Sequence, residues 1–78
     1  MQKTLIIRND ISELATMNRF IEVTGEEFGL STAFIMSLNL VMEEAVSNII
    51  FYAYEEKKGE DEICIILERI GKMLIVSL

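Results

Sequence analysis

Seventy-eight residues with a net charge of −6, 51% hydrophobic side chains and a mean hydropathy of +0.37 describe one small unit with more apolar surface than it can readily hide. A chain this short buries only about 60–65% of what its unfolded form exposes, which predicts further burial against a second chain. The acidic balance excludes a phosphate-tracking nucleic-acid surface, the absence of histidine removes the commonest general base and zinc ligand, and the lone Cys64 permits no internal disulfide.

Met1-Gln2-Lys3 runs directly into a strand over Lys3 to Arg8, with Leu5 and Ile7 on one face and Ile6 on the other, and does not read as a secretory leader. Asn9-Asp10 then starts a helix, with Asp10 as cap and Glu13 in the third position of a capping box. That helix presents Ile11, Leu14, Ala15, Met17, Phe20, Ile21 and Phe28, and Gly29 closes it in a left-handed conformation. Arg19 is an isolated cation on its exposed face, a candidate partner contact.

Ser31 caps a second helix that runs to about Glu56, where Lys57, Lys58 and Gly59 supply a cationic last turn and a stop. Its apolar length approaches a membrane span, but Asn39, Glu43, Glu44 and Asn48 near the middle would be costly in hydrocarbon. It reads as a buried helix of a soluble, cytoplasmic protein with no membrane contact, apolar nearly all round, with one face on the sheet and the other on the first helix, a neighbouring chain or a further part of the domain. Phe51, Tyr52 and Tyr54 read as packing aromatics and the methionines as gap-fillers in a core or interface. Glu62 to Ile70 and Lys72 to Leu78 form a hairpin around Gly71, with Cys64 as a small buried hydrophobe.

The order β-α-α-β-β gives a two-layer α/β sandwich, with helices covering one face of a mixed sheet. Its last strand, Leu74 to Val76, is an apolar edge that recruits another strand, so an oligomer or an exchanged element is expected.

Within the second helix, Glu44 and Asn48 lie four residues apart and share a face with Ser37. On a helical wheel they fall at the edge of the apolar stripe, where a carboxylate and a carboxamide could line a cleft beside the core. There they could act as a base and a metal ligand. The same spacing also suits a plain solvated face.

The run Leu40-Val41-Met42-Glu43-Glu44-Ala45-Val46-Ser47-Asn48-Ile49-Ile50, followed by Ala53-Tyr54, resembles the N box of the anti-sigma factor serine kinases. These form a branch of the histidine-kinase-like ATPase superfamily that includes gyrase and the sensor histidine kinases. Tyr52 departs from the pattern, standing where the family usually has histidine, and Phe51 stands where a polar residue is common.

The resemblance implies that Glu44 is the general base, taking the proton from a partner's serine hydroxyl as it attacks the terminal phosphate of ATP. It implies that Asn48 is the cofactor-binding residue, ligating Mg2+. By the same resemblance, residues 1–78 form one partial domain, the first half of a left-handed, Bergerat-type ATP-binding sandwich. The family's Asp-x-Gly-x-x-Phe segment, glycine-rich lid and terminal strands do not occur in these residues. Tight ATP binding by these residues alone is therefore not expected.

The implied function is that of an anti-sigma factor with protein serine/threonine kinase activity. In its intact form it would sequester a sigma factor, phosphorylate an anti-anti-sigma factor and form a homodimer. A non-catalytic dimerising or partner-binding module, keeping the helix only as packing, is the alternative.

Overall fold

The short polar joints place the elements. Asp10 accepts hydrogen bonds from the Ser12 backbone N–H and hydroxyl, both at 2.9 Å, which winds Ile11–Glu13 into a single 3-10 turn. Only then does the first helix begin, at Leu14, so the expected capping box gives way to a tighter entry. At the other end the Leu30 N–H reaches the Gly25 carbonyl and the Gly29 N–H that of Glu26, a Schellman closure that Gly29 permits with φ of 75°. Ser31 Oγ then accepts from the Phe34 N–H at 3.1 Å and starts the second helix.

The computed structural model describes residues 1–52 and 61–78. Its elements are β1 (Gln2–Arg8), α1 (Leu14–Glu27), α2 (Thr32–Phe51), β2 (Glu62–Ile70) and β3 (Met73–Ser77). Among the described residues the chain is thus a small α/β protein with two α-helices and a three-stranded sheet in the order β1-β2-β3. Both pairings are antiparallel, so the expected mixed sheet is corrected: β1 and β2 are joined through two helices, which returns the chain against β1 rather than alongside it. The expected helical extension to Glu56, and Ala53 and Tyr54 of the motif, lie outside the described residues.

Gly71, with φ of 57°, takes the first position of a two-residue turn between Ile70 and Met73 and sets the register of the hairpin. Alternation along the strands then decides the faces. Leu5, Ile7, Ile63, Ile65 and Leu67 point to the helices, whereas Ile6 and Cys64, register partners across β1 and β2, point outward. Cys64 is exposed, not buried as its apolar surroundings suggest, because a period of two puts it between the inward Ile63 and Ile65.

The core joins these strand residues to Met17, Ile21 and Phe28 and to Ile35, Met42, Val46 and Ile50 of α2. α1 and α2 meet closely at Gly25, where a Cβ would stand 2.6 Å from Ile35 Cγ1. Lys3 and Glu27, 3.4 Å apart, add an exposed ion pair between β1 and the end of α1, one of the kind that contributes little. The accessible surface, 5280 Å², exceeds the roughly 4,800 Å² typical of a compact monomer of this mass.

Candidate functional site

α2 is packed on one side only among the described residues. Its buried stripe, Ile35, Met42, Val46 and Ile50, follows helical spacing and faces α1 and the sheet. Phe34, Met36, Leu40, Val41, Phe51 and Tyr52 are exposed. Among the described residues the second packed side expected for this helix is not supplied, and Phe51 and Tyr52 are not part of the core. One core cannot cover more than about half of a helix whose apolar residues encircle it. By length and composition Thr32–Phe51 is also long and apolar enough to cross a membrane.

Glu44 and Asn48 are both exposed and, with exposed Ser37, run along the middle of the outward face. At this spacing their Cβ atoms are roughly 5–6 Å apart, close enough for both groups to meet one ligand. The structure thus keeps the two on one face but sets them opposite the core, not at its edge. Apolar shoulders flank this seam, Met36, Leu40 and Phe51 on one side and Phe34, Val41 and Tyr52 on the other.

A carboxamide and a carboxylate suit Mg2+, which commonly takes one or two protein ligands and fills the remainder with phosphate oxygens and water. Among the described residues no group of three or more His, Cys, Asp or Glu is placed to hold a metal ion. The seam offers one carboxylate and one carboxamide oxygen of that kind. Among the described residues nothing on it cradles phosphates with backbone N–H groups or holds a nucleobase.

A concavity that does not include the seam lies where the end of α1 meets the start of α2. It is about 250 Å³, with Glu22 and Glu26 at its walls and Leu30, Ile35, Met36 and Asn39 among its lining. No local motif marks it, since its walls come from two helices that meet only in the folded chain. Asn39 Oδ1 is buried without a hydrogen-bond partner among the described residues, as are Asn9 Oδ1 and Asn18 Oδ1 elsewhere. Arg19 is exposed and spends its charge on Glu22 at 3.8 Å, one turn away on its own helix.

No protein-family model, curated protein or solved structure matches this chain.

Proposed function

We propose that this chain is the first part of a histidine-kinase-like ATP-binding sandwich of the anti-sigma factor serine kinase type. The observation that carries the reading is the seam in which Glu44 and Asn48, polar groups of the motif, are exposed together with Ser37 between two apolar shoulders of one helix. Such a face suits a polar ligand bound in the middle and further protein closing over the sides. In that role Asn48 offers its Oδ1 as a metal ligand, and Glu44, one turn away, accepts the proton of a partner's serine hydroxyl. Magnesium-ATP, when bound, supplies the phosphoryl group and most of the charge neutralisation. The partners are a sigma factor and an anti-anti-sigma factor, and the setting is cytoplasmic.

The exposed shoulders also favour a second reading, a docking module in which the seam does no chemistry. Titration with ATP, with and without magnesium, separates the two. The kinase reading expects weak, magnesium-dependent binding that falls about ten-fold or more in Asn48→Ala, whereas Glu44→Gln still binds. ATP affinity that ignores magnesium, or is the same after Asn48→Ala, refutes the assignment.

A further inference from the structure

The C-terminal end of α1 carries the charge that a helix end disfavours. A helix finishes on open backbone carbonyls and the negative pole of its dipole, which attract cations. The last two turns of α1 instead hold Glu22, Glu26 and Glu27, and its last turn has no basic residue. Glu22 and Glu26 lie four residues apart on one face, so their charges also repel each other. Lys3 meets Glu27 and Arg19 meets Glu22 in exposed pairs, but Glu26 has no cationic partner among the described residues. Local chemistry set against its own element marks a site whose compensation comes from elsewhere.

The same two carboxylates line the cavity of about 250 Å³ between the helices. The opposite wall is the start of α2, with Thr32, Ile35 and Met36, and Leu30 lies at the join. No Lys or Arg lines it, so its charge is wholly negative, while Leu30, Ile35 and Met36 make the rest of it largely apolar. Among the described residues no group of three ligands forms to hold a metal ion, and an apolar wall is a poor neighbour for a hydrated one. The volume lies below the roughly 300–1,000 Å³ of sites for drug-sized molecules and suits a short chain.

We propose that this cavity binds an aliphatic primary ammonium, its head at Glu22 and Glu26 and its methylenes against Leu30, Ile35 and Met36. An ammonium is a compact charge whose three donors reach separate acceptors, whereas a planar guanidinium pairs best with both oxygens of one carboxylate. An aliphatic stem lies along apolar surface while its charged head stays at the polar rim. A partner's lysine side chain and a free polyamine share this chemistry. The proposal does not rest on the kinase reading.

Titration with n-butylammonium at constant ionic strength, followed by the methyl NMR signals of Ile35 and Met36, is expected to saturate in the millimolar range. Ammonium chloride and n-butanol at the same concentrations are expected to leave both signals in place, since each lacks half of the match. Glu26→Gln, a change of charge at an exposed position, is expected to weaken binding about five-fold, the upper end for an exposed pair. Met36→Lys brings an ammonium of its own to the lining and is expected to abolish binding, with helical circular dichroism unchanged in both variants. The absence of a saturable shift, an equal response to ammonium chloride or butanol, or wild-type affinity in Glu26→Gln overturns the assignment. A short peptide with one lysine, the same peptide with that lysine acetylated, and spermidine then separate the sources. Tighter binding of the unmodified peptide assigns the ammonium to a partner's lysine, tighter binding of spermidine assigns it to a polyamine, and equal binding of the acetylated peptide overturns the ammonium.

Discussion

Gly25→Ala tests the helix contact on which the core depends. A Cβ at this position would lie 2.6 Å from Ile35 Cγ1 and 2.8 Å from its Cδ1, and Ile35 is only 8% exposed, so the clash falls on a buried side chain that must shift. In an unobstructed helix the change would stabilise by up to about 1 kcal/mol, through alanine's better propensity and the stiffer unfolded chain. Overpacking costs about 1–3 kcal/mol, and the γ-carbon at 2.6 Å places this site toward the upper part of that range. The expected net effect is a loss of about 1–2 kcal/mol in urea unfolding followed by circular dichroism.

A double-mutant cycle isolates the contact. Ile35→Ala alone should cost about 2–5 kcal/mol by leaving a cavity, but in that background Gly25→Ala should become neutral or stabilising, a coupling of at least about 1 kcal/mol. Additive effects, or a stabilising Gly25→Ala in the wild-type background, would refute the close approach of α1 and α2.

Ser31→Ala removes the acceptor for the Phe34 N–H and should lower stability by about 1 kcal/mol, with Ser31→Asp restoring most of it in the same urea assay. A Ser31→Ala variant as stable as wild type would place the start of α2 elsewhere. Cys64, exposed on the outer face of β2, should react with a chromogenic disulfide reagent in the folded protein without denaturant. A thiol that reacts only on unfolding would mean that this sheet face is covered in solution.

The sequence alone determined the local events. Gly29 and Gly71 each adopt the positive φ that their places at a helix end and a hairpin turn call for, and Ser31 caps α2, because these choices depend on a few neighbouring backbone groups. The two-period of Leu5-Ile6-Ile7 placed β1's inward and outward faces correctly for the same reason. Only the tertiary structure decided which side of α2 is buried. Its apolar residues encircle the helix, so no period singles out one face, and the choice falls to Gly25 and Ile35 meeting across α1 and α2. That contact turns Ile35, Met42, Val46 and Ile50 inward and thereby carries Glu44 and Asn48 to the outside. Their shared face was fixed by a four-residue spacing, but what that face meets depends on packing between residues far apart in the chain.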